Sequence, residues 1–468
     1  MKKIVSLLFA GMVSLSALAE QRMTIHSSTK GNVELSVFNY RDIQLADKML
    51  VFEAKDTSVK TSSIQIQDVD SLTFNDPVSS AFVQILFEGD TAEIVNPFKE
   101  VEVKVQGSNV EVISKSNEYV TFYLKGTSLD GSLSITPSAK FALFMDNLIL
   151  ANMTGPAIRI LEDFRANVII ADGSKNALVG LGDGVDYNAA FWSKTQLVFS
   201  PEVDAEGSEI PGGNKGTGYL GISSFGGHGI YSKDYVRVKT GELVIEDVAG
   251  DGINTKDYFR LDGGSVKIQA KGDAIDCNDH IFINGGKLTI TSSSNGVKAL
   301  KCDSIIDILG GDIDITMTGK GARALKNDSA DVTIKNAKVR IVMKGDVLRE
   351  DGESSYTTAI KSDMKVKILD GADVDITCGS KTTGGKGINA TAGIEIANAT
   401  LVVEVDGLKD YEAESGGKVA GLKSDGNISI ENSKVTIIAA NLEESGVKAV
   451  NCANKEDLLG KYTEQIER

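Results

Sequence analysis

The sequence predicts an all-β protein, a parallel β-helix in which short strands stack coil upon coil. The prediction rests on two repeated signatures and on the distance between their copies. The first signature is an aliphatic residue, any residue and a small residue, followed within two positions by Asp. Its copies begin at Ile230, Ile253, Ile275, Leu300, Leu325, Ile360 and Leu422, with looser copies at Phe191, Ile388 and Val450. From Ile230 to Leu325, successive copies are 23, 22, 25 and 25 residues apart, which fits one coil of a solenoid.

The second signature lies between successive copies of the first. It is a short strand that alternates apolar and polar residues and is entered by a small residue, as in Gly264-Ser-Val-Lys-Ile268 and Gly286-Lys-Leu-Thr-Ile290. A period of two indicates a strand, and no copy has the period or the length of a helix. A β-propeller is the competing architecture, but its blades need about 40 residues, so the coils are too short for it.

The composition of the chain argues against some classes of function. The 468 residues include 49 Lys and Arg against 65 Asp and Glu, a net charge of −16. Such an acidic chain is a poor binder of nucleic acid, because affinity for phosphates comes from Lys and Arg. The four Cys residues form no CxxC pair, which argues against a zinc or redox site. Cys277 and Cys302 occupy the small position of consecutive copies, where parallel side chains favour free thiols over a strained disulfide.

The chain divides into four segments. Lys2 and Lys3, the apolar run at 4–18 and the small residues Ala17 and Ala19 predict a signal peptide over 1–19, so the protein is expected in the periplasm, at the cell surface or outside the cell. No other apolar run is long enough to cross a membrane. Alternating stretches predict a small β leader module at 20–76, followed by the solenoid at 80–455 and a C-terminal tail at 456–468.

An outward-facing column follows directly after the aliphatic position of each copy. It begins with Trp192 and Tyr231, continues through Asn254 and Asp276, and becomes basic at Lys301, Lys326 and Lys361. Exposed aromatic rings suit the apolar faces of sugar rings, which makes Trp192 and Tyr231 a candidate stacking platform. The alternative is that both rings cover the edge of the solenoid or pack beneath an insert at 200–215.

Basic residues form a second column just before the aliphatic position, with Lys298, Arg323, Lys386 and Lys448. Stacked like charges repel one another unless a neighbour or a ligand compensates them. A polyuronate would supply regularly spaced carboxylates, so Lys298, Lys301, Arg323, Lys326 and Lys361 are candidate glycan-binding residues together with Trp192, Tyr231 and Asn254. The alternative is that the lysines pair with Asp303, Asp328, Asp363 and Asp425 and only keep the protein soluble.

A third feature is acidic. Asp251 and Asp273 fall in one column, and Asp276 and Asp279 lie close together on one coil, with Asn254 beside them. Carboxylates stacked this closely repel, whereas Ca²⁺ binds six to eight oxygen atoms of such turns. The four Asp residues are therefore candidate calcium ligands. The alternative is that they cap the N–H groups of turns.

Five motifs occur in the order in which a known family has them: Asp146-Asn-Leu-Ile-Leu150, Ala171-Asp-Gly-Ser-Lys-Asn176, Ser193-Lys194, His228-Gly-Ile-Tyr-Ser-Lys-Asp234 and Gly250-Asp-Gly-Ile-Asn-Thr-Lys-Asp257. Residues 80–455 thus resemble the bacterial carbohydrate-binding β-helix family first described from a clostridial cell-surface protein that binds cellulose and pectin. The resemblance implies a right-handed, calcium-containing β-helix that binds plant polysaccharide without catalysis. The insert at 200–215 and the leader module depart from the family, and the insert bears on which glycan fits.

We therefore predict an exported, non-catalytic protein that binds polysaccharide along the solenoid, with calcium as cofactor and pectin or cellulose as the type of glycan. Two other classes stay open: a polysaccharide lyase of the pectate type, with Arg323 beside Lys298 and Lys326 as its basic group, and a structural solenoid adhesin. The coils lengthen at 344–356 and 407–419, after the second signature and before the next aliphatic position. Insertions at one phase of a solenoid project from one edge, where they could wall a groove.

Overall fold

The computed structural model describes residues 22–27, 33–36, 40–46, 48–54, 62–75, 82–181, 186–380, 384–405, 419–440 and 447–467. The predicted signal peptide lies outside the described residues. The chain forms two compact units that meet in sequence at Phe82. Among the described residues, no helix is long and apolar enough to cross a membrane.

The N-terminal unit is built of two small antiparallel sheets. Ile25 and Phe52 are its buried apolar residues among those described. The central strand of the first sheet is β1, which pairs with β2 and β6 on its two sides, and the central strand of the second sheet is β4, between β3 and β5. The strands are β1 (Arg22–His26), β2 (Val33–Ser36), β3 (Tyr40–Ala46), β4 (Met49–Ala54), β5 (Ser62–Gln65) and β6 (Ser71–Asn75), with a 3-10 turn at Ile66–Asp68.

The second unit is a parallel β-helix. In the described part of this unit, one face of each coil belongs to a 14-stranded sheet, which we call the first face. Its strands pair in parallel except for an antiparallel hairpin of β9 and β10 at its N-terminal end. They are β9 (Val101–Gln106), β10 (Asn109–Ser114), β12 (Ser132–Thr136), β14 (Ile158–Ile160), β17 (Ala189–Ser193), β20 (His228–Ser232), β23 (Ile253–Thr255), β26 (Ile275–Cys277), β29 (Lys298–Cys302), β32 (Arg323–Asn327), β37 (Thr358–Ser362), β40 (Lys386–Ala390), β43 (Ala420–Ser424) and β46 (Lys448–Asn451).

The second face follows the first along each coil. Its strands also stack in parallel. They are β15 (Ala166–Ile170), β18 (Leu197–Phe199), β21 (Val236–Val238), β24 (Tyr258–Leu261), β27 (His280–Ile283), β30 (Ile305–Ile308), β33 (Val332–Lys335), β38 (Lys365–Leu369), β41 (Gly393–Ala397) and β44 (Ile428–Glu431).

The third face completes each coil and carries the second sequence signature. Its strands are β16 (Lys175–Gly180), β19 (Tyr219–Ser224), β22 (Glu242–Val248), β25 (Ser265–Ala270), β28 (Lys287–Ser292), β31 (Asp312–Met317), β34 (Lys338–Met343), β39 (Asp373–Cys378), β42 (Thr400–Val405), β45 (Lys434–Ala440) and β47 (Thr463–Glu467). At the N-terminal end, the long strands β11 (Val120–Ser128) and β13 (Phe141–Asn152) serve both the second and third faces, next to the hairpin of β7 (Phe82–Glu88) and β8 (Thr91–Val95).

The backbone conformation explains why the second signature begins with a small residue. Gly241, Gly264, Gly286 and Gly311 have φ values of +94°, +72°, +77° and +89°, a region that only glycine enters at little cost. In later coils the same turn places the positive φ one residue earlier, at Asn336, Gly371, Asn398 and Asn432. The entering residue can then be Ala or Ser, as the sequence shows.

The predicted parallel β-helix is confirmed by the register of its core. Ile253 pairs with Ile275, and Ile275 pairs with Leu300 on the next coil. All three side chains are fully buried. Cys277 and Cys302 pair in the same way, and both are free thiols, as predicted. The Cys302 Sγ–H donates to the carbonyl oxygen of Asp279 at 2.9 Å, so burial of the thiol does not leave its donor unused.

The solenoid extends further than the sequence predicts. Strand β47 pairs in parallel with β45, so the sheet continues to Glu467 and the predicted end at 455 is too early. A 3-10 turn at Lys455–Leu458 separates β46 from β47, and the last strand lacks the second signature. The tail predicted at 456–468 is therefore part of the solenoid as far as the described residues reach.

The two predicted insertions occupy the same position in their coils. The insertion at 344–356 leads from β34 on the third face to β37 on the first face, and it contains an antiparallel hairpin of β35 (Leu348–Glu350) and β36 (Glu353–Ser355). The insertion at 407–419 leads from β42 to β43 in the same way, and its residues up to 418 lie outside the described residues. The strands that follow the two insertions, β37 and β43, thus both belong to the first face.

Candidate functional site

The column predicted on the outside of the solenoid exists on the first face. We call it the outer column. Strand register places its members opposite one another on successive coils, and it begins earlier than the repeat signature suggests. Its members are Ser134, Arg159, Trp192, Tyr231, Asn254, Asp276, Lys301, Lys326, Lys361, Asn389, Lys423 and Asn451.

The aromatic end of the outer column is covered. Trp192 is only 5 % exposed. The edge of the Tyr187 ring meets its indole at a centroid distance of 4.8 Å, and Tyr231 stacks on it at 6.0 Å. The prediction that Trp192 offers an open stacking platform is therefore wrong. The alternative, that the ring covers the edge of the solenoid, is correct, and Tyr187 packs over it.

Tyr231 offers little more to a ligand. Its ring stacks with Trp192 and with His228, at a centroid distance of 6.0 Å from each. Burial raises the pKa of its hydroxyl group above the usual range. Asn254, the next residue of the column, is 8 % exposed. Since two aromatic rings stack with Tyr231 and the Lys256 ammonium group lies 5.9 Å from its ring centre, this part of the column does not present an open aromatic surface.

The insert at 200–215 is held by hydrogen bonds to Asp172. The carboxylate of Asp172 accepts hydrogen bonds from the amide groups of Lys215 and Thr217, each at 2.9 Å. Asn214 in turn accepts a hydrogen bond from the amide of Asp172 at 3.1 Å. The insert leads from β18 to β19, between the second and third faces. These contacts hold it beside Asp172, which precedes β16 on the third face.

Each carboxylate of the predicted acidic group has at least one donor from the protein. Asp251 accepts hydrogen bonds from the Asp273 amide at 2.8 Å and from the Asn254 side chain at 2.9 Å. Asp273 accepts one from the Lys298 amide at 2.8 Å. The other two carboxylates pair with cationic or cation-forming groups: Asp276 with Lys301 at 3.0 Å and Asp279 with His280 at 2.8 Å.

This donor set does not fit a calcium ion. Ca²⁺ needs six to eight oxygen ligands that converge, whereas Asp251, Asp273, Asp276 and Asp279 each have at least one oxygen bonded to or paired with a nitrogen group of the protein. Among the described residues, no three His, Cys, Asp or Glu side chains gather as a metal site. The Oδ1 atom of Asn254 is buried without a hydrogen-bond partner, but a single amide oxygen does not make a calcium site. Calcium remains a prediction that the arrangement of these side chains does not support.

The ion pair at Asp276 leads to a first prediction. Although burial opposes the shift, the hydrogen bond and charge of Asp276 raise the pKa of Lys301 above the usual range. Asp276→Asn should destabilise the protein by about 1 kcal/mol, since the pair is partly exposed, and by the same amount with or without a chelator. Thermal unfolding in calcium and in EDTA measures this. A loss of stability seen only in calcium would instead identify Asp276 as a metal ligand.

Most lysines of the outer column have the carboxylate partners that the solubility alternative predicts. Lys326 pairs with Asp328, Lys361 pairs with Asp363 at 3.8 Å, and Lys423 pairs with Asp425 at 3.6 Å. Lys301 is the exception, because it pairs with Asp276 of the preceding coil rather than with Asp303. Three of the four expected pairs thus form within a coil, and the fourth lysine is paired with the preceding coil.

The second basic column contains an uncompensated charge. Arg323 lies between Lys298 and Thr358 in the strand register, with Lys386 beyond Thr358. Within the part of the chain that the structure describes, the Arg323 guanidinium makes no ion pair and no hydrogen bond. Burial lowers its pKa, opposed only by the more distant charges of Asp363 and Asp273. None of its five N–H donors is therefore used by another described residue.

Lys326 has an altered proton affinity. Its side chain is 8 % exposed, and it lies beside Arg323 on the same strand. Burial and the charges of Lys361, Arg323 and Lys298 lower its pKa to about 8. Positive charges are therefore close enough here to disfavour one another, although the protein as a whole is acidic. We call Lys298, Arg323, Lys326 and Lys361 the basic cluster.

A contact between the 344–356 insertion and the second basic column was not identified from the sequence. The ammonium group of Lys386 lies 4.6 Å from the ring centre of Tyr356, at the end of the 344–356 insertion. Thr357, the next residue, donates a hydrogen bond to the carbonyl oxygen of Gly345 at 2.9 Å. The insertion therefore closes on itself and contacts Lys386 of the second basic column. The spacing of the repeat predicted its position but not the contact with Lys386.

A cavity at the N-terminal end of the first face was also missed. It has a volume of about 260 Å³ and is lined by Asn109, Ser132, Asn152, Thr154, Gly155, Pro156 and Arg159. Arg159 belongs to the outer column, one coil before Trp192. Its strand reads Ile158-Arg-Ile160, which has Ile where the repeat signature has a small residue. The aliphatic residue before Arg159 is the part of the repeat signature that could have identified this coil from the sequence.

Comparison with known proteins identifies a matching family. A family model described as "Carbohydrate-binding domain-containing protein" matches residues 106–383. No curated protein matches the chain. One similar solved structure is the gadolinium derivative of the polysaccharide lyase-like protein from C. thermocellum, at 17 % identity and a TM-score of 0.42, covering 54 % of this chain and 97 % of the other.

Proposed function

Because the chain belongs to the family of carbohydrate-binding domain-containing proteins, we propose that it is an exported protein that binds an acidic plant-type polysaccharide along the first face of its solenoid. The basic cluster is the centre of this surface, and the 344–356 insertion borders it. The proposal keeps the predicted polyuronate ligand and drops the predicted aromatic platform. The proposed function is binding alone, without cleavage of the glycan.

The unpaired guanidinium of Arg323 carries the proposal. A half-buried cation without a carboxylate partner is costly unless something compensates it. The nearest residues in the strand register are Lys298 and Thr358, neither of which is an anion. A carboxylate of the ligand would provide the missing partner, and guanidinium groups bind carboxylates through two parallel hydrogen bonds.

The neighbouring lysines extend this site along the solenoid axis. Lys326 and Lys361 lie on adjacent coils, about 4.8 Å apart. Their aspartate partners are half exposed, and ion pairs of this kind contribute little to stability. A carboxylate on the glycan can replace such a partner at small cost, so a polymer with repeated carboxylates can contact several coils at once.

Glycan array binding with and without a chelator tests the proposal. Polygalacturonate should bind, binding should weaken as salt increases, and neutral cellulose oligosaccharides should bind less tightly. Comparing the arrays also tests the predicted calcium dependence. Equal binding of neutral and acidic glycans at all salt concentrations would refute a site centred on the basic cluster, and binding of no glycan would refute the function.

A polysaccharide lyase is a second candidate, favoured by one observation. A lysine whose pKa is about 8 is neutral in part near physiological pH and can accept a proton. In a uronate lyase, the base takes the proton from the carbon beside the carboxylate, and the bond from the next carbon to the leaving sugar oxygen breaks. A carbon–carbon double bond forms between the two carbons, and the leaving oxygen takes up a proton from water. Lys326 would be the base, and Arg323 would hold the carboxylate.

The pH dependence separates the two candidates. Because the pKa of Lys326 is lowered to about 8, the side chain loses its positive charge as pH rises through 8. Polygalacturonate affinity should then fall between pH 7 and 9, whereas lyase activity, followed by the absorbance of the unsaturated product, should rise. Lys326→Arg keeps the charge over this range and should remove the pH dependence of binding. Affinity that is constant from pH 7 to 9 in the parent protein would contradict the role of Lys326.

A further inference from the structure

The cavity at the N-terminal end of the first face has the size of a site for one small molecule. Its volume of about 260 Å³ lies near the lower limit of ligand pockets, which begin at about 300 Å³. Its lining combines polar side chains with the apolar ring of Pro156. A sugar ring has the matching character, since it has an apolar face and a polar rim.

The floor of the cavity is rigid because its polar groups bond to one another. The Asn152 side chain donates to the Pro156 carbonyl oxygen at 2.8 Å and accepts from the Thr154 amide at 2.9 Å. Ser132 donates to the Asn109 side-chain oxygen at 2.7 Å. These contacts leave the amino group of Asn109 as a donor at the rim. A site held in this way is formed before its ligand arrives.

Arg159 supplies a positive charge to this cavity. Its Nε–H donates to the Ser134 hydroxyl at 3.0 Å, and its guanidinium carbon lies 5.3 Å from the centre of the Tyr187 ring. Among the described residues, its two terminal nitrogens have no hydrogen-bond or ion-pair partner. One edge of the guanidinium is thus fixed by the protein, and the other is available to an acceptor.

We propose that this cavity binds one uronic acid unit at the end of an acidic glycan, with the Arg159 guanidinium paired to its carboxylate. Arg159 lies in the outer column, so a polymer that follows the column towards the N-terminus ends at the cavity. The inference rests on the proposed function, because that function brings the polymer to the first face. The volume of the cavity suits a single sugar unit, and we assign that unit to a chain end.

Two variants test the cavity by independent means. Arg159→Gln removes the charge, and Gly155→Leu fills the cavity while leaving every charge in place. A Cβ at Gly155 would meet only Asn152 Nδ2, at an ordinary 3.5 Å, so a larger side chain there is compatible with the fold. Arg340→Gln is the matched control, since Arg340 pairs with Asp314 on the third face.

Titration calorimetry of the full mature protein with galacturonate, galactose and polygalacturonate gives the readout. Galacturonate should bind and galactose should bind at least tenfold more weakly. Both cavity variants should lose galacturonate binding at least tenfold, Arg159→Gln with a reduced salt dependence, while Arg340→Gln should behave as the parent. Both variants should retain the parent's circular dichroism spectrum and melting temperature within a few degrees.

Each other result has a defined meaning. Absence of galacturonate binding to the parent, equal binding of galactose, or galacturonate binding that survives either cavity variant would overturn the cavity proposal. Polygalacturonate that binds the parent and both cavity variants equally would overturn the chain-end role but leave the proposed function intact. Galacturonate binding in the cavity without any polymer binding would instead contradict the proposed function alone.

Discussion

Arg323→Gln combined with Lys326→Gln should weaken polygalacturonate binding at low salt by about a hundredfold. A hydrogen bond to a charged group contributes about 1.5 to 3 kcal/mol, and each 1.4 kcal/mol is a factor of ten. The double variant removes the unpaired guanidinium and the adjacent buried ammonium group of the basic cluster. Neutral oligosaccharides should lose much less affinity, because they offer these two residues no carboxylate.

A charge-matched control separates local contacts from the field of the whole protein. Arg340→Gln with Lys367→Gln removes the same net charge from the third and second faces, where both side chains pair with Asp residues. This control should bind polygalacturonate within a factor of about two of the parent, since charges at that distance are screened. Equal loss in both double variants would show that the glycan senses only total charge, and the basic cluster would then not be its site.

The sequence was sufficient to place residues in columns, because strand register is set by a side-chain period of two and by the coil length. Trp192, Tyr231 and Asn254 therefore fall in one line, as do Lys301, Lys326 and Lys361. Exposure does not follow from register. The burial of Trp192 depends on Tyr187, which lies on the segment before β17 and has no counterpart in the repeat signature.

The sequence predicted only some of the ion pairs, again because side-chain geometry does not follow from strand register. The pairs Lys326–Asp328 and Lys361–Asp363 are local in sequence, so spacing within one coil predicted them. Lys301 had three carboxylates within reach, Asp303 on its own coil and Asp273 and Asp276 on the preceding one. Only the side-chain geometry shows that Asp276 is the closest partner, at 3.0 Å against 3.9 Å for Asp273. The unpaired state of Arg323 is a property of its whole surroundings. No pattern in the sequence could have indicated it.

Among the variants proposed for this protein, Trp192→Ala should cause the largest loss of stability. The sequence alone would predict a loss of glycan binding with an unchanged fold, but the buried ring now predicts a loss of about 3 to 5 kcal/mol in the free energy of unfolding. Trp192→Phe keeps an aromatic ring against Tyr187 and Tyr231 and should lose less than half as much. Chemical denaturation followed by circular dichroism measures both losses.

Because Trp192 is the only Trp of the chain, its fluorescence tests the cause directly. The parent protein should emit at a short wavelength and resist quenching by acrylamide, since the indole is covered. Tyr187→Ala removes the ring that packs over it and should shift the emission to longer wavelength and increase quenching, with neutral glycan binding no weaker than in the parent. If Trp192→Ala instead unfolds like the parent and loses neutral glycans, the indole is a stacking surface in solution and Tyr187 does not cover it there.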